Sequence, residues 1–524
     1  MPMMVVEEST QHAILEGQAA ARGEDPFLYF KDQVWSFAET ERLACRCAAG
    51  LQKLGIGKGD AVGIMCGNRP EYVFLWFALS KLGAIQVPVN TAHKGHLLLH
   101  MLRLAKVKLI LIAPEHLDQF LPVQPELPDL QRIVLFCGTD RSLPLPHGFY
   151  SQLIENDGKF EAVHVRPSDP ANILFTSGTT GPSKGSLKPQ NEGVQTARMT
   201  AEVMEYGPAD CVYIAIPMFH GVATNLGIFA ALVRGARVVI AERFSASGFW
   251  PDIRRYGCTA ANYVGAMLLM LMKQEEQPDD AENPIRAMFG PGAPPSIFAA
   301  FEARFHVELN EMYGLTDAGI PLINRAGHRR SGTCGRVTPY FDVALVDDDG
   351  HPVPDGTPGE LLLRANLSNY MMLGYVGMPE RTLEAWRDLW FHTGDTLIRD
   401  PDGFYRFVDR KKDSLRRRGE NISSFEVEQA VNLHPAVQES AAIAAPSDLG
   451  DDEVMVCVVA KPGQALDAVS LHAHCQGQMA AFMVPRYIRV MAALPKTPTE
   501  RVEKYKLREE GVTADTWDAG TWRK

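Results

Sequence analysis

The sequence predicts an α/β fold: a large amino-terminal domain of α/β layers with a small β subdomain, followed by a small α+β carboxy-terminal domain. Short apolar strands alternate with helical stretches from Phe27 onward, the pattern of helices layered on a sheet. From about Gly332 helices give way to short strands broken by Gly, Pro and Asp turns, as in 343–350, which marks the β subdomain. Near Asp409 a basic run, including Arg410, Lys411, Lys412 and then Arg416, Arg417 and Arg418, leads into a fresh helix and strand pattern. A boundary there divides the chain into domains 1–408 and 409–524. At 524 residues the chain exceeds one ordinary core, and each part is long enough to bury its own.

In order, 27–30 reads as a strand, 37–54 as a helix, 61–65 as a strand and 70–82 as a second helix. Asn68 and Pro70 mark the start of that helix and Gly83 its end, because Pro is preorganised for a first turn and Gly accepts a left-handed cap. Residues 84–89, 108–113 and 132–137 are short apolar strands, with a Pro-rich surface loop at 122–128. Strand 212–216 runs out at Pro217-Met218-Phe219-His220-Gly221, and 226–233 reads as a helix. Strands 237–241, 260–264 and 286–289 follow, the last opening into Gly290-Pro291-Gly292-Ala293-Pro294. Beyond the boundary come helix 424–433, strands 439–445 and 454–460, and helix 469–479.

A formal net charge of −11 argues against a nucleic-acid partner, which usually requires a basic surface. The nine cysteines are scattered, with no repeated pair spacing that would form a zinc site. Reduced thiols and a cytoplasmic location are expected. The opening residues lack a basic patch followed by an apolar core, so no signal peptide is expected. The most apolar runs, 72–79 and 263–272, fall short of a bilayer-spanning helix, which needs about 20 residues; no transmembrane segment is expected.

The chemistry concentrates at 172–185. An apolar run, 173–175, feeds a loop of hydroxyls and glycines that closes on Lys184. Gly178, Gly181 and Gly185 let main-chain N–H groups approach an anion, while Thr176, Ser177, Thr179 and Thr180 add side-chain donors and Lys184 adds charge. Such a loop suits triphosphate. It is not the P-loop of GTPases, since Ser183 precedes Lys184 and Gly185 follows it.

Three more polar segments follow: Gly290-Pro291-Gly292-Ala293-Pro294, Tyr313-Gly314-Leu315-Thr316-Asp317 and Trp390-Phe391-His392-Thr393-Gly394-Asp395. Together with the phosphate loop and in this order, they resemble the motifs of the adenylate-forming superfamily of acyl-CoA synthetases, carrier-protein adenylation domains and luciferases. The resemblance covers most of the chain. The run Arg416-Arg417-Arg418-Gly419-Glu420-Asn421-Ile422-Ser423-Ser424 is most similar to the carnitine/crotonobetaine-CoA ligase-like branch.

The resemblance implies an AMP-forming acid-thiol ligase with ATP, Mg²⁺ and CoA as its small-molecule partners, and a carboxy-terminal domain that is mobile. Ser177, Gly178, Thr179, Thr180 and Gly181 would hold phosphates. Gly292, Ala293 and Pro294 would take the adenine, with Tyr313 stacked on it, and Asp317 would hold Mg²⁺. Asp395 and Arg410 would reach the ribose; a carboxylate can accept both hydroxyls. Lys412 would be the hinge, and Gly419, Glu420 and Asn421 would lie by the pantetheine tunnel. Thr176, Lys184, Thr316 and Arg501 are the catalytic candidates, with His220 flanking the acyl pocket.

The chain departs from the superfamily pattern at three places. Gln190 stands where histidine is usual, so a neutral amide replaces a possible cation. Asp317 stands for glutamate. Arg501, preceded by Glu500, stands for the lysine that bridges carboxylate and phosphate, and Lys504 and Lys506 are its rivals for that role. Two other functions therefore stay open: a stand-alone adenylation enzyme that loads a carrier protein, and a catalytically weakened relative that binds nucleotide or acyl-CoA.

Overall fold

The computed structural model describes residues 7–176, 183–293, 295–325, 327–347, 349–410, 414–447, 451–495, 502 and 504–520. Two large sheets build the amino-terminal domain. One has nine strands, from Gln33–Ser36 at one edge through Pro26–Phe30, Arg237–Ile240, Cys211–Ile214, Ala260–Asn262, Ala287–Gly290 and Glu308–Leu315 to Gly319–Asn324 and Arg336–Val337. Its central pairs are parallel. Strand order reverses at Cys211–Ile214, which has Arg237–Ile240 on one side and Ala260–Asn262 on the other. Ligand clefts open at the carboxyl ends of strands beside such a reversal, and His220, Val264, Gly290 and Tyr313 all lie at those ends.

The second sheet has eight strands, with the hairpin Pro170–Thr176 and Lys184–Pro189 near one edge and the short strand Gly374–Tyr375 beyond it. Thr176 pairs with Lys184 across the hairpin, so the lysine opens the return strand. One core joins inner faces of both sheets with the Pro70–Leu82 helix, which is apolar from Val73 to Leu79 and buried from Tyr72 to its end. Such a helix is stable only when enclosed.

Local signals explain the elements that were expected. Phe37–Lys53 starts at a capping box, with Ser36 Oγ accepting from Glu39 N at 3.0 Å and Ser36 N donating to Glu39 Oε2 at 2.9 Å. Pro70–Leu82 ends at Gly83, whose φ of 62° is left-handed. Asn68 does not cap that helix. Its side-chain amide donates to Ile216 O and Ala241 O, each at 3.0 Å, and its carbonyl accepts from Met218 N at 2.8 Å, tying the two layers together. The helix expected at 226–233 is instead a π-helical turn, Thr224–Phe229, running into Ala230–Arg234.

The small β subdomain is a five-stranded sheet that includes Phe341–Val346, Gly359–Ala365, Trp390–Arg399 and Tyr405–Arg410. The carboxy-terminal domain begins with the hairpin Ser414–Arg417 and Glu420–Ser423. It continues with the helices Ser424–Asn432 and Ala468–Gln478 on a four-stranded sheet led by Val437–Pro446 and Asp452–Ala460. This domain has its own core, against which Ala92 and Leu97 of the large domain pack. The nine cysteines are free thiols. No helix among the described residues is long and apolar enough to cross a membrane.

Candidate active site

Lys184 opens the return strand of the hairpin, so its side chain leaves the phosphate loop toward Gly374–Tyr375, the strand paired alongside. Nζ donates to Tyr375 Oη at 2.9 Å and lies 4.1 Å from the centre of that ring. Tyr375 Oη in turn donates to Asp317 Oδ2 at 2.8 Å. Burial, reinforced by the Asp317 carboxylate, pushes the Tyr375 hydroxyl well above its ordinary range, so it stays a donor. Asp317 Oδ1 is buried with no hydrogen-bond partner among the described residues. A cavity of about 510 Å³ opens beside this chain of contacts, lined also by Glu360, His392 and Thr393.

The loop itself is held at both ends. Ser183 Oγ donates to Thr176 O at 2.6 Å, and His100 Nε2 meets Ser183 O at 2.9 Å. Ser177, Gly178, Thr179, Thr180 and Gly181 lie outside the described residues, as do Pro294, Lys412 and Arg501.

A second wall comes from the strands Trp390–Arg399 and Glu308–Leu315. Tyr313 Oη donates to Asp395 Oδ2 at 2.6 Å. Burial and the carboxylate raise that hydroxyl far above its ordinary range, so Tyr313 stays a neutral donor that orients Asp395. Asp395 N donates to Thr393 Oγ1 at 3.1 Å, and Gly394 N to Glu360 Oε1 at 3.1 Å. Arg410 stands directly across from Asp395 in the strand pairing. Thr316 is half-buried in the turn between Tyr313 and Gly319. The Gly292-Ala293 turn rests on Glu311, whose Oε1 accepts from Ala293 N at 3.1 Å. Burial pushes the Glu311 carboxyl up to about 7, against the pull of the Ala293 and Gly292 amides. Gly290 needs its missing side chain: a Cβ there would fall 1.9 Å from Tyr263 O.

The carboxy-terminal domain closes the third side. Glu420 Oε1 is hydrogen-bonded to His220 Nε2 at 2.9 Å. Burial alone would raise the Glu420 carboxyl, but His220, with His93 and Arg416, outweighs it and holds the group below its ordinary range. Burial lowers His93 to about 4, opposed by Glu420. Gly419, at φ 81°, presses so close to Val264 that a Cβ would come within 2.9 Å of Val264 Cγ2. The backbone of Asn421 pairs with Arg416 in the hairpin. Glu426, on the first turn of Ser424–Asn432, lies against Ser183; burial pushes its carboxyl up to about 8, against the pull of the Ser183 backbone and side chain.

Two expectations need correction. Gln190 does not join the Lys184, Tyr375 and Asp317 contacts: it is fully buried, with Oε1 accepting from Ser80 Oγ at 2.8 Å and Gln11 N at 3.2 Å. The strand Lys184–Pro189 carries the chain away from the loop, so Gln190 opens a helix inside the core. Lys504 is not poised over the site either. Its Nζ is 2.6 Å from Glu428 Oε1 and donates to Ser424 Oγ at 2.8 Å, within its own domain. Tyr375, Glu311, His93 and Glu426 were not singled out in the sequence: Glu311 lies two residues before Tyr313 and Glu426 five after Asn421, but nothing local separates either from a surface carboxylate, and Tyr375 and His93 lie far from the quoted motifs.

Residues 15–376 match the family described as AMP-binding enzyme, and residues 426–501 match the AMP-binding enzyme C-terminal domain. The chain is 30% identical over 494 residues to the crotonobetaine/carnitine–CoA ligase of Salmonella paratyphi C, covering 90% of this chain and 93% of that protein. The corresponding Escherichia coli ligase is 30% identical over 484 residues, with 90% and 93% covered. Among solved structures, the anthranilate CoA ligase AuaEII in complex with anthranoyl-AMP aligns with a TM-score of 0.72 at 27% identity, covering 97% of this chain and 98% of that one. The o-succinylbenzoate CoA synthetase of Bacillus subtilis, bound with a product analogue, aligns with a TM-score of 0.82 at 22% identity, covering 96% and 99%. With both family regions matched in order along a fold of this architecture, the chain belongs to the AMP-binding enzyme family.

Proposed function

We propose that this protein is an ATP-dependent acyl-CoA ligase that activates a carboxylic acid as its acyl-adenylate and transfers the acyl group to CoA, releasing AMP and pyrophosphate. The observation that carries this reading is the line Lys184, Tyr375, Asp317, which ends in a buried carboxylate oxygen with no hydrogen-bond partner among the described residues. In the first step the substrate carboxylate attacks the α-phosphorus and pyrophosphate leaves. Lys184, Thr176 and Thr316 meet charge that develops on the phosphates. The open oxygen of Asp317 is a hard donor of the type Mg²⁺ takes, so the residues fit that ion. Asp317 would hold it, and it would neutralise phosphate charge. In the second step the CoA thiol attacks the acyl carbonyl and AMP departs.

In this reading the chain passes from one domain to the other close to the boundary expected at Asp409, with Lys412 as the hinge and Arg501 on the face used for adenylation. The strand Tyr405–Arg410 belongs to the β subdomain sheet and Ser414–Arg417 to the carboxy-terminal hairpin, which supports a crossing at 411–413. Glu420 against His220 and Gly419 against Val264 support the arrangement used for thioester formation. The test is to incubate the protein with ATP, Mg²⁺, CoA and a panel of carboxylic acids while following AMP and acyl-CoA together. Matched formation of both is expected; ADP in place of AMP overturns the reading.

Asp395→Ala is expected to weaken ATP binding, since it removes the diol acceptor and leaves Tyr313 Oη without its partner. Losing a charged hydrogen-bond partner costs about 1.5–3 kcal/mol, measured here as the change in nucleotide affinity by calorimetry. Unchanged affinity would place the ribose elsewhere.

Glu426 makes domain docking depend on pH. Docked, its carboxyl titrates at about 8, against an ordinary value of 4.5. The docked form therefore keeps a proton that the undocked form releases. Docking through this group is fully favourable below 4.5 and weakens progressively as pH rises toward about 8. A fluorescence pair spanning the domains should report less docking as pH rises through that window. Glu426→Gln should flatten the response, and an equal slope in both proteins would exclude Glu426 as its source.

A further inference from the structure

His392 stands on the wall of the cavity that also takes in Lys184 and Asp317. Its side chain is 14% exposed, and Nε2 is buried with no hydrogen-bond partner among the described residues. The other ring nitrogen is engaged: Arg387 Nη2 lies 3.0 Å from Nδ1. A tight hairpin builds that contact. Asp388 and Leu389, at φ 52° and 65°, turn the strand Trp386–Arg387 back onto Trp390–Arg399 with Arg387 opposite Trp390. His392, two residues further along the same face, is then the diagonal neighbour of Arg387. A guanidinium has donors only, so Nδ1 accepts and the ring hydrogen sits on Nε2. Glu360 Oε2, 3.4 Å from Nδ1, would become the acceptor if the ring gained a second proton, and Nε2 keeps its hydrogen in both states.

Nε2 is thus a preset donor with no acceptor among the described residues. Other donors on the same lining are already used: Lys184 Nζ on Tyr375, Tyr375 Oη on Asp317, Arg381 on Glu384 and Thr393 Oγ1 on Leu361 O. Asp395, the ribose acceptor in the acyl-CoA ligase reading above, lies three residues beyond His392 in one strand, about 10 Å at the rise of an extended chain. The cavity lining reaches Gly394 but does not include Asp395; it runs the other way, to Lys184. We propose that His392 is a pyrophosphate-binding residue, donating from Nε2 to the outer phosphates of ATP and to the pyrophosphate that leaves, and that Arg387 is a positioning residue that fixes its tautomer. The inference rests on that ligase reading. A neutral donor suits this wall, because a further ammonium or guanidinium beside Asp317 and Glu360 would be drawn into an ion pair, whereas a neutral N–H stays available to phosphate. In the step concerned, an oxygen of the substrate carboxylate forms a bond to the α-phosphorus, the bond from that phosphorus to the bridging oxygen breaks, and pyrophosphate leaves with the electron pair. Charge grows on the β-phosphate, and a hydrogen bond aimed at it strengthens as it grows. No proton passes to or from His392.

The test compares ligands with and without the outer phosphates. In pyrophosphate–ATP exchange by His392→Ala, the KM for pyrophosphate should rise about tenfold to a hundredfold, as expected for loss of one hydrogen bond to a charged group, and the KM for ATP should rise with it. Affinity for AMP, which lacks both outer phosphates, should stay at the wild-type value. CoA transfer from supplied acyl-adenylate should also be unchanged, which shows that the variant folds. His392→Gln offers an amide N–H in place of Nε2 and should recover most of the loss. Arg387 is exposed, and Arg387→Ala should raise the KM for pyrophosphate by a smaller factor, because the neutral ring is then free to carry its hydrogen on Nδ1 toward Glu360. Arg387→Lys, which also only donates, should restore it. An unchanged KM for pyrophosphate in His392→Ala overturns the proposal, and so does a loss of AMP affinity in His392→Gln as large as the loss for pyrophosphate. A wild-type KM in Arg387→Ala overturns the role given to Arg387. Wild-type protein lacking exchange altogether would instead defeat the acyl-CoA ligase reading.

Discussion

Lys184→Ala should reduce pyrophosphate–ATP exchange roughly 10²- to 10³-fold, the usual loss when one preorganised donor to developing charge is removed. The lysine is fixed from two directions. Its backbone is registered against Thr176 in the hairpin, and its ammonium is held over the Tyr375 ring and bonded to that hydroxyl. Little reorganisation is then needed when phosphate arrives. CoA transfer from supplied acyl-adenylate should suffer less, because the β- and γ-phosphates are absent from that step. Tyr375→Phe is the companion variant: it leaves the cation in place but removes the hydroxyl between Lys184 and Asp317, so exchange should fall by a smaller factor. Exchange in Lys184→Ala close to the wild-type rate would mean that the lysine points away from the phosphates during adenylation.

The other large effect concerns stability. Arg417 is 2% exposed, with Nη2 at 2.5 Å from Glu453 Oε2 and Nη1 donating to Val484 O at 2.8 Å and Phe482 O at 3.2 Å. Burial pulls its pKa down, and Glu453 opposes that. The side chain ties the hairpin after the crossing to the strand Asp452–Ala460 and to the segment 482–484. Arg417→Ala strands the Glu453 carboxylate, which is 4% exposed, and breaking such a buried pair costs about 3–5 kcal/mol. Arg486 Nη1, 3.8 Å from the other Glu453 oxygen, recovers part of that loss, so the lower half of the range is expected. That is a large fraction of the stability of a small domain. Calorimetry should show the carboxy-terminal domain melting in a separate, earlier transition, while nucleotide binding by the large domain persists. A single transition at the wild-type temperature would show that the pair contributes little.

How far each feature could be read in the sequence follows from the range of the interaction behind it. The helices Phe37–Lys53 and Pro70–Leu82 were predicted because caps and breakers act within a few residues. Gln190–Val203 was not, because its first turn buries Gln190, Asn191 and Glu192, and polar residues turned inward erase the periodicity that identifies a helix. The strand Lys184–Pro189 was hidden for a related reason. With Lys184, Ser186 and Lys188 in it, it does not read as a strand until its pairing with Pro170–Thr176 is known. Lys188 is buried 3.2 Å from Glu192, a pairing that charge pattern alone assigns to the surface.

By itself the sequence determined the α/β class, and it singled out the glycine- and hydroxyl-rich loop before Lys184 and the residues Lys184, Asp317, Tyr313 and Asp395 as candidate ligands. Each sits in a short motif whose spacing encodes a local backbone shape. Tertiary structure alone decided that Tyr375 joins Lys184 to Asp317, that Tyr313 orients Asp395, and that Arg416, Glu420 and Glu426 reach across to Gly292, His220 and Ser183. Those contacts depend on strand pairing and domain docking between segments far apart in the chain. Their free energy comes from desolvating and matching both partners together, and neither partner's local sequence contains the other.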